Sequence, residues 1–231
     1  MTALRRTLVA AEMQGRDLLR RRLALAMLVS LPVAFYLATG PLGGQAQYAV
    51  PAAGVSAAWS IAGAAFFSVL ASRRIEQRLM LAGYRAADLL VGRLLLLEAG
   101  GVVLALGFSV LVAVGSSPPD LGALVLGNGL TALIGVPLGL AVGALLPREL
   151  EGTLLLIGIV GVELSLPPDS AIATVLPLYG PGQILLIAAG YGGQVEPSWV
   201  VHGLAYALAL LVVAVGLWSR RIRVSRHAAP G

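Results

Sequence analysis

The chain has 231 residues, of which 58% are hydrophobic and 12% are charged, and its mean hydropathy is +0.90. Soluble domains average about 45–50% apolar and about 25% charged residues, so this composition excludes a water-soluble fold and predicts an all-α integral membrane protein. Because roughly 20 apolar residues cross a bilayer, the apolar runs leave room for about six spans and for no separate soluble domain. Cysteine is absent, which excludes disulfides and thiolate metal sites.

Residues 1–22 are predicted to form an amphipathic helix in the cytoplasmic membrane interface. Leu4, Leu8 and Ala11 recur at helical spacing, whereas Arg5 and Arg16 lie on the other side. The alternative is a cleaved signal sequence followed by five spans. The charged segment before the first apolar run is longer than the n-region of a usual signal sequence. We therefore expect an interfacial elbow helix instead.

Six apolar runs follow, and each is predicted to cross the membrane. They comprise residues 23–40, 49–71, 94–115, 121–146, 153–166 and 198–218. The fifth run is shorter than the roughly 30 Å hydrocarbon core, so we expect a thinned bilayer or flanking residues to complete this crossing. Prolines and glycines interrupt residues 167–197, which are predicted to enter the membrane from the outer side and return to it. The transmembrane domain thus comprises residues 23–231.

The arginines predict the orientation of the chain. All 16 basic residues are Arg, and six crossings that start inside place every one of them on the cytoplasmic side. The outer connections then carry Asp120, Asp169 and Glu196, in agreement with the positive-inside rule. We therefore expect a multi-pass protein of the cell membrane with both termini in the cytoplasm. The net charge of +5 reflects this orientation and does not indicate nucleic-acid binding.

Sequence patterns of catalysis are absent. There is no His-Glu-x-x-His motif, and neither His202 nor His227 has a serine or carboxylate at a catalytic spacing. His202 is predicted to have a structural or interfacial role. A phosphate-binding loop of the Gly-x-x-x-x-Gly-Lys-Ser/Thr type is also missing. The chain is therefore predicted to be no enzyme and to hold no metal or cofactor, and any ATP would be bound by another chain.

Three polar residues inside apolar runs are candidates for a substrate path: Glu98, Asn128 and Glu163. An ionisable group in the hydrocarbon region is costly and is by default a functional candidate. Alternatively, Glu98 lies near the inner interface or pairs with an arginine, and Glu163 is hydrated near the outer boundary. Asn128 and Thr131 are one turn apart and are also expected to hydrogen-bond between helices.

A stripe of small residues in the fourth run predicts close helix packing. Gly135, Gly139 and Gly143 are spaced by four residues and share one helix face. Such a stripe lets two helix backbones approach each other. Packing within the chain is the favoured interpretation, and a subunit interface is the alternative.

The long inner connection, residues 73–93, is the most informative segment. It is predicted to continue the second span as a charged helix and to turn at Ala82 and Gly83, since glycine suits a helix C-terminus. A second amphipathic piece then leads into the third span. A reverse turn needs only a few residues, so the extra length indicates a surface for another protein. The alternative is a solvated loop that its five arginines hold at the headgroups.

This layout resembles the membrane subunits of ABC type-2 transporters, which have the type V exporter fold. The resemblance rests on the two ends of the inner connection, residues 73–79 and 88–93, on the polar connection 146–152, and on the Pro- and Gly-containing stretch 167–182. It implies a permease that exports a hydrophobic or amphipathic substrate, with a heme-exporter-like permease as a close variant.

The resemblance also implies partners. A separate ABC ATPase subunit would bind ATP and Mg²⁺, and a second permease subunit, identical or different, would complete a dimer in the bilayer. Spans two and five would line the path, and Pro167 and Pro168 would act near the outer gate. The implied docking surface for the ATPase consists of Arg74, Glu76, Leu79 and Tyr84.

Two interpretations from other classes remain open. A stand-alone channel or ion-coupled secondary transporter would bind its coupling ion at Glu98 or Glu163. A membrane anchor or assembly factor would transport nothing.

Overall fold

Helices dominate the computed structural model, which describes residues 3–20, 22–40, 42, 46–81, 83–146, 148–167 and 170–227. No strand occurs in these ranges, and one 3-10 turn, Ala173–Val175, precedes the seventh helix. The predicted all-helical class is confirmed. The helices are α1 (Ala3–Arg20), α2 (Arg22–Thr39), α3 (Ala46–Leu81), α4 (Ala86–Ser116), α5 (Leu121–Leu145), α6 (Glu149–Ser165), α7 (Tyr179–Ala188) and α8 (Pro197–His227).

Four of these helices are long and apolar enough to cross a membrane. They are α4, α5, the part Tyr48–Ser72 of α3 and the part Pro197–Arg220 of α8. The prediction of a membrane protein is therefore supported. The predicted first and fifth spans correspond to α2 and α6, which have 18 and 17 residues and are not among these four. The count of six spans stays a prediction.

Helices α3 and α5 pack together at the centre of the bundle along the glycine stripe. A methyl group built on Gly139 would overlap the carbonyl oxygen of Ala62, and one built on Gly135 would lie 3.0 Å from the carbonyl oxygen of Ala58. Gly143 continues the stripe against Val69. The predicted close packing within the chain is thus confirmed, and we call this contact the glycine seam.

Helices α4 and α8 lie at the periphery. Apolar side chains such as Val103 and Val110 of α4 and Leu208 and Val212 of α8 are each more than half exposed. In the second half of α4, Ser109 faces inward, since it is buried and accepts a hydrogen bond from Asn128 of α5. An apolar outer surface on span-length helices suits contact with lipid.

Helix α7 is too short to cross a membrane, because its ten residues extend for only about 15 Å. It is nevertheless buried, and Leu185 fits against Gly54 of α3 and Gly127 of α5. Leu178 precedes α7 and lies in a deep apolar cluster with Ile134 of α5. The chain therefore enters the bundle after α6 and returns through α7, whereas re-entry of this segment into a membrane stays a prediction. Its location on the outer side of a membrane stays a prediction.

The turn between α3 and α4 lies where the sequence predicts it. Gly83 has a φ of +89°, which favours glycine. Its N–H donates to the carbonyl of Met80 at 3.1 Å, and the N–H of Tyr84 donates to the carbonyl of Leu79 at 3.0 Å. This pair of bonds is a Schellman motif, which ends α3. The second amphipathic piece is the first part of α4 and is continuous with the span.

Helix α1 lies across the first turns of α4. Arg6 forms an ion pair with Asp88 at 3.0 Å. Gly92 allows the close approach, because a methyl group there would lie 2.8 Å from the carbonyl oxygen of Thr7. The predicted amphipathic helix thus exists over Ala3–Arg20, whereas its place in a membrane interface stays a prediction.

The two ends of the bundle differ in charge. The arginine end is the end where α3 stops and α4 begins, and α1 and Trp218 of α8 pack there against Leu89. The opposite end contains the connections α2–α3, α4–α5 and α7–α8 and the last turn of α6, and the sequence has no arginine in these segments. The fold thus gathers the described arginines of α1, α4 and α8 at one end.

Candidate functional site

A cavity of about 380 Å³ lies at the opposite end of the bundle. Residues of α2, α3, α6 and α7 and of the segment before α7 form its walls, and most of them are apolar. Its volume falls in the lower part of the range of about 300–1,000 Å³ that is usual for small-molecule sites. The polar residues in its walls are Thr39, Tyr48, Glu163, Tyr179 and Gln183.

Glu163 connects the end of α6 to Leu178, the residue just before α7. Its Oε1 accepts a hydrogen bond from the backbone N–H of Leu178 at 2.9 Å. Leu178 is the N-cap residue of α7, so the carboxylate lies at the helix end where the backbone dipole favours a negative charge. The Oε2 atom has no hydrogen-bond partner among the described residues. The structure thus places one of the predicted path residues in a cavity wall.

His202 holds the 3-10 turn against α8. Its Nε2 lies 3.1 Å from the carbonyl oxygen of Thr174, and Tyr206 donates to the carbonyl oxygen of Val175 at 2.6 Å. The ring of His202 also packs edge-on against Tyr179, at 5.5 Å between centroids. These contacts agree with the predicted structural role of His202.

Asn128 is buried between helices and lies apart from the cavity walls. Its Nδ2 donates to the hydroxyl of Ser109 at 2.9 Å, which joins α5 to α4 as predicted. The prediction for Thr131 is wrong, because its hydroxyl donates at 2.7 Å to the carbonyl of Asn128 in its own helix. Sequence spacing alone does not distinguish such a bond within a helix from a bond between helices.

The remaining predicted path and gate residues are not brought together. Glu98 is partly buried on α4, does not line the cavity, and its Oε2 lacks a partner among the described residues. Pro167 is exposed just after α6. Pro168 lies outside the described residues. Their roles as path or gate residues stay predictions.

At the arginine end, a buried ion pair connects α3 to α4. Arg93 is 1% exposed and Glu76 is 7% exposed, and the guanidinium of Arg93 donates to the carboxylate of Glu76 and to the hydroxyl of Ser72. The hydroxyl of Ser72 donates to the same carboxylate at 3.1 Å. The roles of Ser72 and Arg93 were not predicted from the sequence, although the 17-residue separation of Glu76 and Arg93 across a predicted helical turn indicates such a pair.

The predicted docking residues are mostly involved in internal contacts. Glu76 faces Arg93, and Leu79 and Tyr84 are partly buried against a cluster that includes Leu89. The side chain of Arg74 lies outside the described residues. Among the described side chains at this turn, Leu81, which is 89% exposed, and Arg85 are exposed. The exposure of these two residues depends on how the hairpin packs, so it could not be predicted from the sequence.

No protein-family model matches the chain, and no curated protein matches its sequence. Within the described part of the chain, no cluster of three or more His, Asp or Glu side chains could hold a metal ion. A proposal for function therefore rests on the cavity and on the hairpin at the arginine end.

Proposed function

We propose that the chain is the permease subunit of an ABC-type exporter, driven by a separate ATPase subunit that docks at the arginine end. The observation that carries this proposal is the hairpin of α3 and α4. Helix α3 continues for nine residues beyond Ser72 and ends at Leu81, and α4 returns after a tight turn. The hairpin projects an exposed apolar residue, Leu81, beside the exposed Arg85.

The hairpin is suited to transmit a displacement to the spans. The Glu76–Arg93 pair joins its two arms, and Leu79 and Tyr84 pack against the cluster that includes Leu89. Helix α3 is in turn held to α5 by the glycine seam. A push on the hairpin tip would therefore move the central helices rather than bend a loop.

The cargo and the assembly follow from the same proposal. A largely apolar cavity suits a hydrophobic or amphipathic substrate. In a bilayer, α2 and α6 would complete six spans, the arginine end would face the cytoplasm, and a second permease subunit would complete the path. ATP and Mg²⁺ would be bound by the ATPase subunit.

Co-purification tests this proposal. We expect the tagged chain, extracted from its native membranes in a mild neutral detergent, to retain a subunit with Mg²⁺-dependent ATPase activity. The double variant Leu81→Asp/Arg85→Glu should lose most of this bound activity, because it places negative charge at the exposed tip. Mass spectrometry of the bound chains and ATPase assays give the readout.

Leu42→Asp is the matched control. Leu42 is 80% exposed and belongs to the α2–α3 connection at the opposite end, so this variant should keep the ATPase. If the Leu81→Asp/Arg85→Glu complex stays intact, the hairpin tip is not the docking site. If the wild-type chain retains no ATPase, the proposal of an ABC permease fails.

The free Oε2 of Glu163 in the cavity wall favours a second candidate, an ion-coupled carrier. This candidate predicts that the purified chain alone takes up substrate into liposomes when an ion gradient is applied. Glu163→Gln should then abolish uptake, since it removes the charge that would bind the ion. Transport that requires ATP and a second subunit would contradict this candidate.

A further inference from the structure

The cavity at the opposite end has a single sign of charge. Glu163 is the one carboxylic acid in its described walls, and no Arg or His is among the described residues that line it. The described arginines lie at the other end of the bundle. A bound ligand would thus meet a carboxylate with no cation among the described wall residues to neutralise it.

Glu163 has one oxygen that accepts a hydrogen bond and one buried oxygen without a partner among the described residues. The N–H of Leu178 holds Oε1 in place, and this bond fixes the direction of the carboxylate. Oε2 has no partner among the described residues. A buried carboxylate oxygen without a donor is costly, so a ligand that donates an N–H to Oε2 would recover this cost through a charge-assisted hydrogen bond.

The rest of the cavity suits the apolar part of such a ligand. The rings of Phe35, Tyr48 and Tyr179 line it, together with aliphatic side chains. Aromatic faces attract cations in addition to contributing apolar contact area. The combination of one carboxylate, three aromatic residues and an aliphatic wall, without Arg or His among the described wall residues, favours a cation over an anion.

We propose that this cavity binds an amphipathic organic cation, with its ammonium group at Glu163 and its apolar tail between α2, α3 and α7. The site belongs to this chain alone, so binding requires neither ATP nor the proposed ATPase subunit. Export of the same cation as cargo would rest on the proposed function, whereas its binding does not.

Three probes with four methylenes between the ring and the head group test the proposal: 4-phenylbutylamine, 4-phenylbutanol and 5-phenylpentanoate. Their affinities for the purified full chain are measured by calorimetry in a neutral maltoside detergent, without nucleotide. We expect the amine to bind most tightly and the carboxylate most weakly. Glu163→Gln should weaken amine binding by about tenfold or more, since it removes a charge-assisted bond. The affinity of the alcohol should fall by less than about fivefold, because its hydroxyl only exchanges a charged acceptor for a neutral one.

Two variants control for folding and for micelle partitioning. Gln at position 163 still offers a carbonyl oxygen to the N–H of Leu178, so Glu163→Gln should keep the fold. Glu196→Gln makes the same charge change at an exposed site near the start of α8 and should leave all three affinities unchanged. Gly182→Leu places bulk in the cavity wall, where a methyl group would meet no neighbour, and should weaken both the amine and the alcohol.

Amine affinity that is insensitive to Glu163→Gln, or binding of all probes that is insensitive to Gly182→Leu, would overturn the proposal. Binding that follows the expected pattern while no ATPase co-purifies would support this site and reject the proposed ABC permease. The reverse result, a retained ATPase with no amine binding, would reject the site alone.

Discussion

At the scale of single residues, the buried ion pair of Glu76 and Arg93 connects the two arms of the hairpin. Both side chains are nearly inaccessible to solvent, and isolated charges in such a place are unfavourable. Each therefore depends on the other, and Ser72 supplies a further hydrogen bond. The exposed pair of Arg148 and Glu151 at the start of α6 has the same charges without this dependence.

Arg93→Leu is expected to lower the free energy of unfolding by about 3–5 kcal/mol, because it leaves the carboxylate of Glu76 buried without its cation. The double variant Glu76→Leu/Arg93→Leu should recover most of this loss. Arg148→Leu, the exposed control, should cost less than about 1 kcal/mol. Denaturant unfolding in detergent measures all three. Equal losses for Arg93→Leu and Arg148→Leu would contradict the assigned role.

The glycine seam determines the geometry at the scale of the helices. At Gly139, the backbone of α5 approaches the carbonyl of Ala62 so closely that a methyl group has no room. Two central helices are thereby held at a fixed distance by backbone rather than by adaptable side chains. Gly129 of the same helix faces open space, since a methyl group there would meet no atom within 4 Å.

Gly139→Ala should destabilise the fold by about 1–3 kcal/mol, the usual cost of overpacking a core. Gly129→Ala should be neutral or slightly stabilising, because alanine favours a helix over glycine. Thermal unfolding of the purified variants in detergent compares them. A stable Gly139→Ala variant would mean that α3 and α5 separate without cost, contrary to the packing described above.

The short segment before α7 depends on α8 for its position. The hydroxyl of Tyr206 donates to the carbonyl of Val175 at 2.6 Å. Tyr206→Phe removes this bond and should speed amide hydrogen exchange across residues 170–178 by about fivefold, which corresponds to roughly 1 kcal/mol. Tyr84→Phe at the arginine end is the control and should leave that segment unchanged. Mass spectrometry of exchanged peptides provides the measurement.

At the scale of the whole molecule, the absence of cysteine makes orientation directly testable. A membrane-impermeant maleimide applied to intact cells should label the variant Gln194→Cys at the opposite end. It should label Leu81→Cys at the hairpin tip only after the membrane is permeabilised. Both positions are exposed, so the membrane rather than burial decides access. The reversed pattern would contradict a cytoplasmic arginine end.

The sequence was informative about features that depend on local chemistry. Apolar runs predicted the helices, Gly83 predicted the turn, and the spacing of Gly135 and Gly139 predicted the seam. Which side chains contact each other was harder to predict, because it depends on the rotation of each helix about its axis. Thus Glu76 was predicted to face another protein and instead faces Arg93, and the exposure of Leu81 was not foreseen.

The hydrogen bond between Glu163 and Leu178 has a kinetic consequence. Leu185 of α7 packs against both central helices, α3 and α5. Helix α6 packs mainly against α3, where its Gly152 contacts Phe66. A ligand that donates to Oε2 would leave the bond between Oε1 and the N–H of Leu178 in place and would keep the end of α6 attached to α7. Swinging one helix takes microseconds to milliseconds, so we expect occupancy of the cavity to set how often α6 opens.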